Sequence, residues 1–449
     1  MKRSLAILCA LLALLSCAGP DGPDSPSGNT AAEAADYLFD ASVIPEIHIR
    51  VSDAEWKRLL KAYDSNNGTK EYIKCDALLI RDGDEYDIPE AGLRLRGNTS
   101  RRRPESSQGR MQHCHYSIDL NHYHDNPYHS VRGIRHVDLK WFKEDPAYVR
   151  EIYCFDLFRR FGVWTALRDI YVLLWIQVGT RQEAYLGVYG MLEHVGRDYI
   201  EARATELGST EGFLWKCSYG ADLRRTSNDY APDDNTRDHV YELKTRLQSF
   251  DEAKTQLQEF IRNLNSYHGD VLFNWLNSVT DVDLLLRTYA VNVAVGMWDD
   301  YWNNSNNYYL YFTPDGRMFF IPFDYDNTLG TSSDCGVQHD SGRHDPLRWG
   351  SDDNPLIAKI LQNPIWRDTY KRYLRELTAD GGLSSPSEAR ARIIAWQGRI
   401  EKHVANDTGE DMKISDKPAS WGNHSEYRLK ESGGNNFFRV KAETVAAME

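Results

Sequence analysis

Two aspartates one residue apart, Asp324 and Asp326, end an apolar run at Met318 to Phe323. Upstream, Asp299, Asp300, Asn303, Asn304, Asn306 and Asn307 crowd together just ahead of a second apolar run, Tyr308 to Phe312. Between the runs stands a turn signal, Thr313-Pro314-Asp315-Gly316. The pattern predicts a β-hairpin with carboxylate and amide oxygens gathered at one end. Such hard oxygen donors suit Mg²⁺, which takes few protein carboxylates and completes its shell with phosphate oxygens. The chemistry indicated is metal-assisted work on a phosphate ligand. The plain alternative is a turn-capped hairpin with solvated acidic ends.

The elements that must carry this hairpin change character along the chain. Ile44 to Val51 alternates as a strand, and Asp53 to Tyr63 reads as a helix capped by Ser52 or Asp53. Tyr72 to Arg81, Ala91 to Arg96, Tyr116 to Leu120 and His136 to Trp141 are further strand candidates, with a basic polar loop between Arg96 and Arg110. Ala147 to Phe161 has helical periodicity and stops at Gly162, a C-terminal cap. Arg168 to Val178 and Ala184 to His194 read as paired strands around Gly179-Thr180. From Phe250 onward the 3.6-residue pattern dominates, interrupted by the hairpin and resuming at Asn354 to Leu361, Pro364 to Leu377, Ser387 to Val404 and Phe437 to Met448. The expected fold is α+β and two-lobed: a β-rich N-lobe over about 41–200 and a mainly helical C-lobe over about 201–449.

The N-terminus bears on location. Met1-Lys2-Arg3 is basic, and Leu5 to Leu15 is apolar but too short to span a bilayer. It ends in Leu14-Leu15-Ser16-Cys17, which resembles a bacterial lipoprotein signal with Cys17 as the lipidated residue. Residues 18–40 are expected to be a flexible tether, being rich in Gly, Pro, Ser and Asp as far as Ala35. The expected product is lipid-anchored and extracytoplasmic in the bacterial cell envelope. The chain has 449 residues and a net charge of −13, which excludes a general nucleic-acid surface. Cys75, Cys114, Cys154, Cys217 and Cys335 lie too far apart in sequence for a Cys-x-x-Cys metal or redox motif.

Several segments, in order, resemble the CotH kinase family of spore-coat-protein-H-like atypical secreted kinases. They are Leu93-Arg94-Leu95-Arg96-Gly97-Asn98-Thr99-Ser100-Arg101, Tyr148-Val149-Arg150-Glu151, Tyr185 to Glu193, Gly212-Phe213-Leu214-Trp215-Lys216, Asp300 to Tyr309, and Phe323 to Gly330. Asn354-Pro355-Leu356 and Asn363 to Arg367 resemble its helical tail. The resemblance implies an atypical protein-kinase-like fold, ATP with Mg²⁺ or Mn²⁺, and an unidentified protein substrate phosphorylated on Ser or Thr. It implies metal ligation by Asp324 and Asn307, with Asn306 as substitute for the latter and Asp326 as a second carboxylate. Asp300 is implied as the residue that orients the acceptor hydroxyl, with Asp299 next. Nucleotide contacts would come from Arg96, Gly97, Asn98, Ser100 and Arg101, with Arg102 a further cation. Lys140 paired to Glu151, Glu193 and Lys216 complete that set. Where the family often has a basic pair, this chain has His113-Cys114-His115, which weakens phosphate binding there; the two histidines are also candidate metal ligands.

Two other classes compete. Asp324-x-Asp326-x-Thr328 also fits the nucleophile motif of haloacid-dehalogenase phosphatases, with Asp352-Asp353 as the late acidic pair. That fold requires βα units after the motif, and strands after Gly330 are scarce. The third class is a catalytically inactive kinase fold serving as a surface binding module.

Overall fold

A computed structural model describes residues 30–65, 70–124, 126, 128–234, 238–331, 340–419 and 426–449. The Cys17 signal and the start of the tether lie outside the described residues. The end of the expected tether is ordered. Helix α1 (Ala31–Leu38) opens with a capping box between Thr30 and Glu33 and buries Ala34, Ala35 and Leu38. The capping pattern Thr-x-x-Glu outweighs the Pro- and Gly-rich composition upstream.

The first half forms β1 (Glu46–Val51), α2 (Asp53–Asp64), β2 (Ile73–Arg81), β3 (Asp84–Leu95), β4 (Tyr116–Asp119), β5 (His136–Lys140), α3 (Arg150–Arg160), β6 (Asp169–Val178) and β7 (Ala184–Glu193). The seven strands close into a barrel in the order β1-β2-β3-β4-β5-β7-β6. Antiparallel pairs make most of the wall, and the parallel pair β1–β6 seals it, with Glu46 opposite Leu173. Alternating side chains such as Ile47, Ile49, Val51, Leu93, Leu139, Val172 and Ile176 fill the interior. A closed barrel replaces the simple β-rich lobe expected, because the apolar alternation of β1 finds partners on both of its edges. Helix α3 begins at Arg150 rather than Ala147, where the Asp145 carboxylate takes the backbone N–H groups of Val149 and Arg150. Gly162 follows it at φ +83, the left-handed conformation that stops a helix.

The second half is not only helical. After α4 (Arg197–Glu201) and α5 (Ala204–Leu207) come β8 (Phe213–Cys217), β9 (Tyr230–Pro232) and β10 (Tyr241–Leu243). Then follow α6 (Phe250–Ser266), α7 (Gly269–Val279), α8 (Val282–Ala294), α9 (Tyr301–Asn304), β11 (Tyr308–Phe312) and β12 (Met318–Pro322). The expected hairpin is β11–β12, and it belongs to a five-stranded sheet ordered β12-β11-β8-β10-β9. Both strands of the hairpin are buried along their whole length, so their continuous apolar runs mark an interior position. Helices α10 (Pro355–Ile360), α11 (Pro364–Thr378), α12 (Pro386–Ile400) and α13 (Phe437–Ala446) complete the chain. One core unites this sheet with α3, α6, α8 and α11. No strand follows β12 among the described residues, so the βα units demanded by the phosphatase alternative are not there. The overall class is α+β.

Candidate active site

A polar cavity of about 1660 Å³ opens between the barrel wall and the second sheet. The segment after β12 supplies Asp324 and Asp326, and β5 ends beneath them with Lys140. The Lys140 ammonium lies 2.5 Å from Asp324 Oδ1, 3.2 Å from Asp326 Oδ2 and 2.6 Å from Glu151 Oε2. Glu151, on α3, also accepts the backbone N–H of Tyr325 at 3.2 Å. One buried carboxylate therefore fixes both the lysine and the turn carrying the two aspartates. The same turn is held from α3 by Arg150, whose Nε donates to the Thr328 carbonyl at 3.2 Å.

Charge explains why this cluster persists. Lys140 is buried, which disfavours its ammonium, yet Asp324, Asp326 and Glu151 together hold its pKa well above the ordinary value. Burial raises Glu151 and Asp326, and Lys140 opposes both shifts. For Asp324 the attraction of Lys140 and Arg96 outweighs desolvation, and its pKa is lowered. The two aspartates keep contact with solvent, at 37% and 41% exposure, through the mouth of the cavity. Three carboxylates thus share one ammonium, and burial works against the ionised form of two of them.

Asp299 faces this group across the cavity, and the asparagine cluster closes on it. Its Oδ1 accepts from Asn304 Nδ2 at 2.5 Å and Asn306 Nδ2 at 3.2 Å. Its Oδ2 accepts from Asn307 Nδ2 at 3.0 Å and Asn327 Nδ2 at 3.3 Å. Burial pushes the Asp299 carboxyl up, and the amide donors of Asn304 and Asn306 pull against that. Ser305, Asn307 and Asp324 all sit at positive φ, 52, 56 and 61. Backbone strain of this kind gathers where surrounding structure over-determines the geometry.

Asp300, the first choice from sequence for orienting an acceptor hydroxyl, does not reach the cavity. It is the N-cap of α9, accepting from the Asn303 N–H at 2.7 Å, and its other oxygen accepts from Asn292 Nδ2 at 2.5 Å. It is 3% exposed, and burial pushes its carboxyl up to about 7. Asp299 lines the cavity and Asp300 supports the loop, so the preference from sequence is reversed. Asn292 accepts in turn from the Tyr325 hydroxyl at 2.8 Å, linking this loop to the Asp324 turn.

The expected nucleotide contacts divide. Arg96, Gly97, Asn98, Ser100, Arg101 and Lys216 line the cavity. Gly97 has φ +97, and a Cβ there would come 2.6 Å from Ser100 Oγ, so the loop's path depends on glycine. Lys216 is paired to Asp238 at 2.9 Å. Arg102 is turned out to a two-pronged pair with Glu410, at 2.6 and 2.8 Å, and is not among the lining residues. Glu193 is a correction. Its carboxylate is buried between Arg203 (2.7 Å) and Arg168 (3.0 Å), which hold it at about 2 against the cost of burial. It braces β7 and does not line the cavity.

His113 and His115 also depart from expectation. They precede β4 instead of sharing a strand face, and both are buried. His113 Nε2 is 2.8 Å from the Leu186 carbonyl, and His115 Nδ1 accepts the Trp141 N–H at 3.0 Å. They do not converge. A grouping the sequence reading passed over lies instead on the cavity wall: His136, Asp138 and His194. The alternation His136-x-Asp138-x-Lys140 on one strand face was its available signal. The four described cysteines, Cys75, Cys114, Cys154 and Cys217, are buried and unpaired; Cys335 lies outside the described residues.

The arrangement fits a metal and a polyphosphate. The Lys140 ammonium already occupies a cation's place between Asp324 and Asp326, and the donors there are hard oxygens. Arg94 and Arg96 add guanidinium charge to the cavity lining, and Arg94 Nε and Arg96 Nη1 have no acceptor in the protein.

The chain is similar in sequence to known proteins. The chain is 22% identical over 284 residues to Spore coat protein homolog 1 of Rhizopus delemar, covering 59% of this chain and 44% of that protein. It is 24% identical over 132 residues to Invasin CotH7 of the same organism, covering 27% of this chain and 22% of that protein. The chain thus spans less than half the length of these curated relatives in the regions it matches. The family profile described as CotH kinase protein matches residues 93–431, from the strand leading into the Gly97 loop to the segment before α13. That match takes in the cavity loop, Lys140, Glu151, Asp299 and the Asp324 turn, and by it the chain belongs to the CotH kinase protein family.

Proposed function

We propose that this protein is an atypical, protein-kinase-like phosphotransferase that uses ATP with Mg²⁺ or Mn²⁺ to phosphorylate Ser or Thr of another protein. The observation that carries the reading is the convergence of Lys140 on Glu151, Asp324 and Asp326. A lysine fixed by a helix glutamate beside a metal-binding aspartate is the set of parts a kinase needs at the phosphates.

In this reading Asp324 and Asp326 hold the metal, and Asn307 adds its amide oxygen after its side chain rotates away from Asp299. Lys140, steadied by Glu151, exchanges its contact with the aspartates for phosphate oxygens. Arg96 and the Gly97 to Arg101 loop cover those oxygens. When bound, the metal–ATP complex supplies the transferable phosphoryl group. Asp299 accepts a hydrogen bond from the acceptor hydroxyl and takes its proton, and the surrounding asparagines keep its oxygens in place. Mass spectrometry of purified protein with ATP and Mg²⁺ or Mn²⁺ tests this reading. A gain of one phosphate on the chain or an added protein supports it; a gain of a nucleotide overturns it in favour of nucleotidyl transfer.

A second reading, a surface binding module, draws on the relative named as an invasin. ATP binding with no phosphate gain on any offered protein favours it.

Location is part of the same proposal: an exported protein held on the bacterial envelope by lipid at Cys17. Its support is the Leu-Leu-Ser-Cys signal, and no described helix is long and apolar enough to cross a membrane. Cys17→Ala is expected to shift the protein from the membrane fraction to the soluble one, or to leave it unprocessed. Normal processing with unchanged membrane retention contradicts the assignment.

A further inference from the structure

The cavity wall built by β5 carries a second set of ligating side chains, apart from the Asp324 turn. His136 and Asp138 share one face of β5, and His194 follows directly on β7, which pairs with β5 through Val137 and Glu193. One nitrogen of each imidazole and an oxygen of Asp138 all lie within 4.8 Å of one another. His194 Nδ1 is 3.0 Å from Asp138 Oδ2, and His136 Nε2 is 3.9 Å from Asp138 Oδ1. Both rings thus turn a nitrogen to the same carboxylate. Ligand atoms at tetrahedral angles, each about 2.1 Å from zinc, stand roughly 3.4 Å apart. The two separations to the carboxylate bracket that value, and the imidazole nitrogens lie within 4.8 Å of each other, so an ion can be held once the rings are re-aimed.

The chemistry of the donors selects among cations. Two imidazoles and one carboxylate are the donor set of open zinc sites, in which a fourth position remains for water or a ligand oxygen. Imidazole suits zinc, cobalt and copper better than magnesium. Ser117 competes for the same atoms: its Oγ is 2.7 Å from His136 Nε2, the nitrogen that would ligate, and it donates to Asp138 Oδ1 at 2.5 Å. All three candidate ligands line the cavity, which gives an ion a path to them.

We propose that His136, Asp138 and His194 bind one divalent transition-metal ion of the zinc and cobalt class, at a site separate from the carboxylates of the Asp324 turn. Asp138 is two residues up β5 from Lys140, about 7 Å along the strand. Binding requires Ser117 to release His136 Nε2, which must give up its proton, and two further adjustments. The imidazoles stack in parallel, with centroids 3.5 Å apart and planes 3° apart, and one ring must turn to aim its lone pair. Arg96, with Nε 3.7 Å from Asp138 Oδ1, must yield its share of the carboxylate to the ion. The competing state is the present hydrogen-bond chain from Ser117 through Asp138 to His194.

Cobalt is the probe, because Co²⁺ in a tetrahedral N/O site absorbs visibly and Mg²⁺ does not. The full chain, without a histidine tag, is titrated with Co²⁺ alone. The expected result is a visible band that saturates at about one equivalent, resists a large excess of Mg²⁺, and is bleached by Zn²⁺. The band should persist in Asp324→Asn/Asp326→Asn and vanish in His194→Gln and in His136→Gln. Thermal unfolding of each variant shows that it is folded; His194 is the more exposed of the two histidines, at 22% against 15%, and the milder change. No band in the wild type overturns the site and leaves the hydrogen-bond chain as its whole purpose. A band lost with the aspartates and kept in both histidine variants also overturns it. Neither result depends on phosphoryl transfer, so this site and the phosphotransferase reading fail separately.

Discussion

Asp324→Asn is expected to abolish metal-dependent ATP binding and phosphoryl transfer. Asp324 makes the closest contact to Lys140 and is the carboxylate whose pKa is lowered, so it is the better anchor for a cation at neutral pH. An amide keeps the shape and one oxygen but removes the charge opposite the metal. ATP at a hundred times its Kd stabilises a protein by about 2.7 kcal/mol, which a thermal shift detects readily. That shift, present in the wild type with Mg²⁺, should disappear in the variant, and turnover should fall by on the order of 10²-fold or more. The apo protein should unfold nearly as before, since Lys140 retains Glu151 and Asp326 as partners. A full ATP-dependent shift in Asp324→Asn moves the principal ligand to another residue.

Asp299→Asn and Asp300→Asn should separate catalysis from scaffolding. Loss of a proton acceptor lowers turnover by about 10²–10⁴-fold and leaves ground-state binding largely intact. Asp299→Asn should therefore cut the rate on that scale with ATP affinity kept. Asp300→Asn should have a much smaller effect on rate and a distinct effect on stability. The Asp300 carboxyl titrates near 7 in the folded protein and near 4 when unfolded. Between those values the folded state holds a proton that the unfolded state has released, so this residue makes stability fall as pH rises from 4 to 7. The loss is a few kcal/mol at most, at about 1.4 kcal/mol per pH unit. Above 7 its contribution is flat. Asparagine cannot titrate and still caps α9, so the difference between variant and wild-type stability should swing toward the variant across that window. Urea unfolding at pH 5 and pH 8 measures it. Equal swings in the two variants, or a larger rate loss in Asp300→Asn, restore Asp300 as the catalytic candidate.

What could be read before the fold was known follows from local physics. The β11–β12 hairpin, the α3 periodicity ending at Gly162 and the Asp324-x-Asp326 pair all declare themselves within a few residues. The Lys140–Glu151 pairing was legible as a strand end followed by a helix. Adjacent aspartates were not separable by residue type alone. What parts them is that Asp300 starts α9 and Asp299 does not; an Asp directly before the apolar pair Tyr301-Trp302 is an N-cap signal. Glu193 misled because its partners, Arg168 and Arg203, sit at other points of the chain and turn it into a brace. The second sheet was missed because β9 and β10 are three residues each and depend on neighbours rather than on their own pattern. The barrel was hidden for the same reason, since β1 and β6 meet across most of the first half.

That seam has a kinetic consequence. Strand β1 can pair with β2 as soon as the two emerge, but its second edge waits for β6, with Val51 joined to Val178. Until then the nascent chain carries a half-open sheet with a free apolar border, the kind of intermediate that associates with its own copies. Loop-closure entropy grows only slowly with length, so the delay reflects the time to synthesise the intervening segment more than a thermodynamic barrier. Once zipped, the barrel offers no strand border to a neighbour, and the hazard carried by β1 ends with the arrival of β6.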